Sequence, residues 1–325
     1  MIRLEKLSKQ FEQDGRRLVA VDGVDLDVPR GEICVFLGPS GCGKTTTLKI
    51  INRLVRPSGG SVFVDGQDTS GFDAITLRRK IGYVIQQVGL FPHMTVEENI
   101  GIVPRLLGWP LAKRHERALE LLDMIGLDSG DYIGRYPREL SGGQAQRVGV
   151  ARALAADPPI LLMDEPFGAL DPVSREALQD EFLAMQARLR KTIIFVSHEI
   201  DEAVKMADRI AIFRKGKIVR QGTPDAILAE TGDPFVESFI GRDRALKRLR
   251  RRRCEEILEP GGRAFEPGTP RVSPHDDLRT ALSILVEAGL DALPCVHPDG
   301  SPAGIVRLAR IRSLLDSGAA IEAVT

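Results

Sequence analysis

Short apolar runs alternate with longer stretches of helical spacing through most of the chain, and that alternation predicts the fold. Residues 2–7, 19–28 and 32–37 read as strands; the last holds the apolar run Ile33, Cys34, Val35, Phe36 and Leu37 and is followed by a glycine. A helix over 45–54 is expected next, then strands at 62–64 and 82–85. From residue 96 to about 126 the period turns helical, with Leu119, Leu122, Met124 and Ile125 recurring at helical spacing. Helices over 143–155, 175–189 and 199–206 each precede an apolar strand, at 160–163, 192–196 and 210–213. This order predicts an α/β fold, a parallel sheet covered by helices, with an all-helical insertion at about 90–155. Beyond residue 240 the pattern changes to a run of charge and two Pro-Gly clusters, at 259–262 and 266–270. A small α/β unit follows: helix 277–288, strand 292–296, a Pro-Asp-Gly turn at 298–300, strand 304–308 and a last helix. The expected division is a domain over 1–240, a basic linker over 241–257 and a small domain over 258–325.

The chain has 325 residues, enough for one domain of roughly 200–250 residues and a smaller one. With 43% apolar and 28% charged residues it can bury a core and is not of a disordered class. Formal net charge is zero, so overall charge calls for no nucleic-acid partner. Its distribution is less even: positions 242–253, from Arg242 to Arg253, hold eight basic residues and one acidic. Four cysteines lie apart without metal-ligand spacing, which fits a reducing compartment. The opening Met-Ile-Arg-Leu-Glu-Lys does not read as a signal peptide. No window approaches about 18 uninterrupted apolar residues, so membrane association is expected through a partner or a charged surface.

Chemistry is concentrated in three segments. Gly38-Pro39-Ser40-Gly41-Cys42-Gly43-Lys44-Thr45 follows a predicted strand and opens a helix. That context makes it a P-loop, whose backbone N–H groups and helix N-terminus point at phosphate. Lys44 is expected on the β- and γ-phosphates of ATP, and the Thr45 hydroxyl on Mg²⁺. Strand 160–163 ends in Asp164-Glu165. A carboxylate there gives Mg²⁺ a second protein contact, and Glu165 can act as general base toward water. The third segment, Leu140-Ser141-Gly142-Gly143-Gln144, sits at a predicted helix start and makes a second anion-binding N-terminus. ATP has one γ-phosphate, so two such sites in one chain point to a head-to-tail homodimer, each nucleotide held by Lys44 of one copy and Ser141 of the other.

These segments, in this order, resemble the ATP-binding subunits of ABC transporters, over roughly residues 2–240. The resemblance implies a P-loop ATPase fold with an inserted helical subdomain, ATP and Mg²⁺ as ligands, and integral membrane permease subunits as partners. It also extends the candidate site. Thr46 joins the P-loop, and Phe11 resembles the aromatic that stacks on adenine. Gln86 matches a glutamine that senses Mg²⁺ and γ-phosphate. His198, in Val-Ser-His-Glu, matches a histidine on the γ-phosphate, and Asp171, in Gly-Ala-Leu-Asp, a residue crossing the dimer interface. Catalytic roles then fall to Glu165, His198, Gln86 and Lys44, and the Mg²⁺ contacts to Thr45, Gln86 and Asp164. Phe91, Pro92 and Met94, beside Gln86, suit a loop that seats a permease helix; a buried loop capping the helical lobe is the competing reading.

A narrower resemblance lies in the stretches at 84–93, 102–109 and 239–244, which are similar to importers of glycine betaine, choline, carnitine and related quaternary-amine osmoprotectants. Such a system implies a substrate-binding protein or domain, and a peripheral place on the cytoplasmic face of the membrane. The unit over 258–325 resembles one CBS domain, in Val272-Ser273-Pro274-His275-Asp276-Asp277-Leu278 and Gly304-Ile305-Val306. It stands singly, and Arg307 and Arg310 replace the Ser/Thr and Asp that nucleotide-binding CBS domains often carry, which speaks against an adenosine site. A packing appendage is the competing reading. The basic run at 242–253 reads as a solvated face or linker, or as a contact for anionic lipid. Two rival functions remain: an importer of another solute such as an amino acid, sugar or anion, and a soluble ABC ATPase. Against the second, the interval from Lys44 to Ser141 leaves no room for a long coiled coil.

Overall fold

The computed structural model of the chain describes residues 1–13, 15–86, 89–168, 170–229, 232–260 and 268–316. It divides into two compact units, Met1–Thr223 and Pro224–Thr325. In the larger unit the strands are β1 (Ile2–Gln13), β2 (Arg16–Val28), β3 (Ile33–Leu37), β4 (Gly59–Val64), β5 (Gln67–Asp68), β6 (Ile81–Val84), β7 (Ile160–Asp164), β8 (Thr192–Ser197), β9 (Arg209–Arg214) and β10 (Lys217–Gly222).

The central sheet has the order β10-β9-β3-β8-β7-β6. Pairings β9-β3, β3-β8, β8-β7 and β7-β6 are parallel, and β10 closes one edge antiparallel to β9. Every residue of β3, β7 and β8 is buried. Their unbroken apolar sequences are therefore what a parallel strand with both faces covered requires. The other sheet, β2-β1-β4-β5, is antiparallel. Ile2, Leu4, Val62 and Val64 from it join Phe36, Leu48, Ile51 and Phe213 in one core.

Between β6 and β7 the regular elements among the described residues are helices, but the continuous period at 96–126 resolves into Val96–Ile100, Ile102–Leu106 and Leu111–Met124. The breaks have local causes. Gly101 caps the first of these helices, and Gly108 at φ +77° turns the chain out before Pro110, which lacks an N–H to continue a helix. Arg147 on helix Gly142–Leu154 reaches Glu181 on helix Pro172–Leu189 at 2.6 Å, tying the helical insertion to the sheet-covering layer.

The smaller unit carries the antiparallel pair β11 (Ala292–Val296) and β12 (Pro302–Arg307). Val272 bridges to Cys295 and Glu259 to Ile305, so β11 and β12 each gain a neighbour. Helices Leu278–Ala288 and Leu308–Asp316 supply Leu278, Leu285 and Ile311 to its core. The unit begins earlier than expected, taking in helices Pro224–Leu228, Pro234–Ile240 and Arg244–Leu249.

The stretch expected as a solvated linker at 241–257 is therefore folded. Leu249, Cys254 and Ile257 lie in the core of the smaller unit. Lys247 is buried with its ammonium bonded to Asp243, and Arg252 pairs with Glu256 at 3.0 Å. Long basic side chains can cover apolar surface with their stems, which a charge count along the sequence does not register.

Candidate functional site

Four parallel strands end side by side, and the loops leaving β3, β8, β7 and β6 carry the candidate residues. The loop after β3 wraps closely because glycine is required twice. A Cβ on Gly38, at φ +146°, would stand 2.4 Å from the Phe213 carbonyl oxygen. One on Gly43, at φ +108°, would stand 2.3 Å from that of Ala20. Gly43 also begins helix Lys44–Ile51 without a side-chain cap, so the first N–H groups of that helix are not taken by a capping side chain. Gly41, Ser40 and Pro39 are exposed, while Cys42 is buried. Burial raises the Cys42 thiol above its ordinary range, partly offset by Lys44.

Lys44 is 5% exposed, and its ammonium donates to the carbonyls of Gly38 at 2.6 Å and Pro39 at 2.9 Å. The next residue turns to the neighbouring strand end: the Thr45 hydroxyl donates to Asp164 Oδ1 at 2.8 Å. Thr46 is partly buried on the same helix. Burial raises the Asp164 carboxyl above the usual carboxylate range, and the Thr45 bond and Lys49 act the other way. One hydroxyl and one carboxylate oxygen at this spacing fit a hard divalent cation that keeps its other positions for phosphate and water oxygens.

Glu165 follows in a left-handed conformation, φ +47°, with its N–H donated to the Val196 carbonyl of the adjacent strand. A non-glycine residue held there is strained, and such strain clusters at functional sites. Gln86, just beyond β6, donates through Nε2 to Glu165 Oε2 at 2.8 Å. His198 Nδ1 lies 3.7 Å from Glu165 Oε1, too far for a hydrogen bond. The structure thus gathers Lys44, Thr45, Asp164, Glu165, Gln86 and His198.

The remaining candidates stand elsewhere. Ser141 caps helix Gly142–Leu154 and forms a capping box with Gln144, while Gly142 is exposed and Gly143 partly so. Asp171 caps helix Pro172–Leu189, and bonds from Ser174 and Val173 hold its carboxyl below the usual range. Phe11, on β1, is 38% exposed with Lys9 over its ring. Two features escaped the sequence analysis. The Tyr83 hydroxyl on β6 is buried without a hydrogen-bond partner, and its acidity is weakened by burial and then by Asp164. Arg175 grips Glu199, the residue after His198, through two contacts of 2.6 and 2.8 Å. No local spacing signals the second, since Glu199 lies 24 residues further along the chain.

The family model described as ABC transporter matches residues 21–168. The chain is 54% identical over 314 residues to the osmoprotectant import ATP-binding protein OsmV of Salmonella typhimurium, an alignment covering 96% of this chain and 81% of that one. It is 52% identical over 295 residues to the glycine betaine/carnitine/choline transport ATP-binding protein OpuCA of Bacillus subtilis, covering 90% and 74%. The glycine betaine uptake system ATP-binding protein YehX of Escherichia coli is 42% identical over 304 residues, covering 94% and 96%. Among solved structures, a dimeric ATP-binding cassette in a post-hydrolysis state bound to ADP and Pi superposes with a TM-score of 0.63 at 35% identity, over 69% of this chain and 99% of that one.

Proposed function

The chain belongs to the ABC transporter family as an ATP-binding subunit, and from that membership we propose that it hydrolyses ATP to drive an importer of quaternary-amine osmoprotectants such as glycine betaine, choline or carnitine. The observation that supports the chemistry most directly is the convergence of Lys44, Thr45, Asp164, Glu165, Gln86 and His198 on the ends of four adjacent parallel strands. The likeness to transport subunits at 42 to 54% identity supports the solute class.

The P-loop, Gly38 to Thr46, wraps the phosphates, with Lys44 leaving its carbonyl partners to meet β- and γ-phosphate oxygens. Phe11 stacks on the adenine. Mg²⁺, held by Thr45, Asp164 and Gln86, would neutralise phosphate charge. Glu165 takes a proton from the attacking water as the new O–P bond forms and the bond to the bridging oxygen breaks, ADP leaving with that electron pair. His198 donates to the γ-phosphate. Ser141, Gly142, Gly143 and Gln144 of a second copy close over the same nucleotide, and Asp171 lies at that seam. The closing and opening of this homodimer moves the permease, through a loop in which Phe91 is 43% exposed and which includes Pro92 and Met94.

Asp164→Asn tests the cation contact from two directions. Because burial raises the Asp164 carboxyl, its ionisation costs folded-state stability as pH rises through that raised value, and below the ordinary carboxylate range the cost vanishes. The variant should therefore melt higher than wild type at pH 7 without nucleotide, and equally at pH 3.5. It should also lose most Mg²⁺-dependent ATP turnover. Differential scanning fluorimetry and an ATPase assay with and without EDTA read both effects.

Residues 258–325 of the smaller unit are, in this reading, a single CBS-like domain, and the basic segment 241–257 before them packs into the same core. Anionic lipid remains a proposed contact of Arg242 to Arg253, resting chiefly on exposed Arg242 and partly exposed Arg248. Each such charge near an anionic surface contributes about 1 kcal/mol, less as salt rises. Replacing Arg242 and Arg248 by Gln should weaken co-sedimentation with phosphatidylserine vesicles; unchanged binding removes the proposal. The place proposed for the assembled subunit is the cytoplasmic membrane face. Among the described residues no helix is long and apolar enough to cross a membrane.

Reconstitution with a quaternary-amine permease and its binding protein tests the whole reading. ATPase stimulation by glycine betaine, choline or carnitine is expected. Stimulation by a sugar, sulfate or amino acid alone would reassign the solute.

A further inference from the structure

We propose that Arg175 is a positioning residue for ATP hydrolysis, a clamp that fixes His198 against Glu165 by tying together the two chain segments that carry them. The inference rests on the ATPase reading above and adds a residue to it. Glu165 and His198 leave the neighbouring parallel strands β7 and β8. The His198 side chain is 50% exposed and its approach to Glu165, at 3.7 Å, is not a hydrogen bond. The ring is therefore placed by the backbone on either side of it rather than by partners of its own.

On one side, Ser197 is buried at the end of β8. On the other, the Glu199 N–H donates to Ser197 Oγ at 3.0 Å, and the Glu199 carboxylate accepts from Arg175 Nη1 through both oxygens, at 2.6 and 2.8 Å. The second arm of the same guanidinium, Nη2, donates to the Leu170 carbonyl at 3.0 Å. Leu170 ends the segment that starts at Glu165. Within it the Gly168 N–H donates to the Glu165 carbonyl at 3.2 Å, the Leu170 N–H to the Phe167 carbonyl at 3.3 Å, and both apolar side chains are buried. Arg175 is itself anchored in the first turn of its helix by an N–H bond to the Asp171 carbonyl at 2.9 Å. One planar group thus spans both segments.

Charge supports the same assignment. Behind Glu199, Glu202 is 8% exposed and bonded to Gln179, and burial raises its carboxyl, with Glu199 adding to the rise and Arg175 opposing it. Arg175 acts on both carboxylates, bonding Glu199 and opposing the rise at Glu202. A lysine ammonium is a point charge without the fork that reaches two segments at once.

The test uses the purified full-length chain, with steady-state ATPase kinetics, equilibrium binding of a fluorescent ATP analogue, and melting temperature. Misplacing a reacting group by about 1 Å can cost about 100-fold in rate. Arg175→Ala should accordingly lower kcat by about 10- to 100-fold while KM and analogue affinity move less than about twofold. Arg175→Lys should fall between, and Glu199→Gln, which keeps the acceptor oxygen, should lose less. The double reversal Arg175→Glu with Glu199→Arg should recover part of the rate lost by either reversal alone.

Three results overturn the clamp: Arg175→Ala with kcat within about twofold of wild type, a loss of kcat matched by an equal loss of analogue-binding sites, or full kcat in Arg175→Lys. Should Arg175→Ala fail to fold, Arg175→Lys and the double reversal decide. Failure of the ATPase reading would show in the wild-type protein itself, as absent turnover, whereas failure of the clamp shows in the variants alone.

Discussion

Glu165→Gln should lower ATP turnover by about 100- to 10,000-fold, the range expected on removing a general base, and leave ATP binding intact. The substitution is nearly isosteric. The amide can still accept from Gln86 Nε2, which stands 2.8 Å from Glu165 Oε2, and the backbone at φ +47° is no more strained than before. What disappears is a carboxylate able to take a proton. The variant should therefore accumulate with ATP bound and, if two copies enclose each nucleotide, as a stable dimer. Size-exclusion chromatography with ATP and Mg²⁺ reads the dimer, and phosphate release reads the turnover. Normal turnover would remove Glu165 as the base, and monomers with bound ATP would remove the shared site.

The second large effect concerns that sharing. Lys44→Ala should abolish turnover, because no other cation of the P-loop meets the phosphates. Ser141→Arg should abolish it too, by filling the place the partner's nucleotide would occupy. Mixed in equal amounts, the two inactive proteins should recover activity. Half of randomly paired dimers combine one chain of each kind, and each of these has one intact site, so turnover should reach about a quarter of wild type. A mixture as inactive as its parts would mean that Lys44 and Ser141 do not serve one nucleotide. Two solved cassettes to which the chain is similar are dimeric.

What could be read beforehand followed from how local the physical cause is. Strands β3, β7 and β8 were legible because burial on both faces leaves an unbroken apolar run. Strand β10 was not, since its residues Lys217–Gly222 are only partly buried and polar in part. The two-residue β5 carries no periodicity at all. Lys44, Thr45, Asp164 and Glu165 were legible because each sits in a short segment whose strand or helix context defines its chemistry. Gln86 and His198 entered through resemblance. A single Gln or His after a strand has no local meaning, and acquires one only from the order β3-β8-β7-β6. Arg175 was invisible for the same reason: its partners, Leu170 and Glu199, are adjacent only because β7 and β8 are. The basic stretch after residue 240 misled differently. Its charge dominates the local pattern, while the apolar Leu249, Cys254 and Ile257 that fold it inward are spaced without a clear period.

The pairing of β3 with β8, Ile33 opposite Ile193, has a consequence for how the protein is made. A nascent chain released through residue 168 already carries Lys44 and Glu165, yet it lacks the strand that seats between them. Nucleotide cannot help such an intermediate, for it has no assembled place to bind. The first half must wait on the ribosome, its apolar strands uncovered, until Thr192–Ser197 emerges.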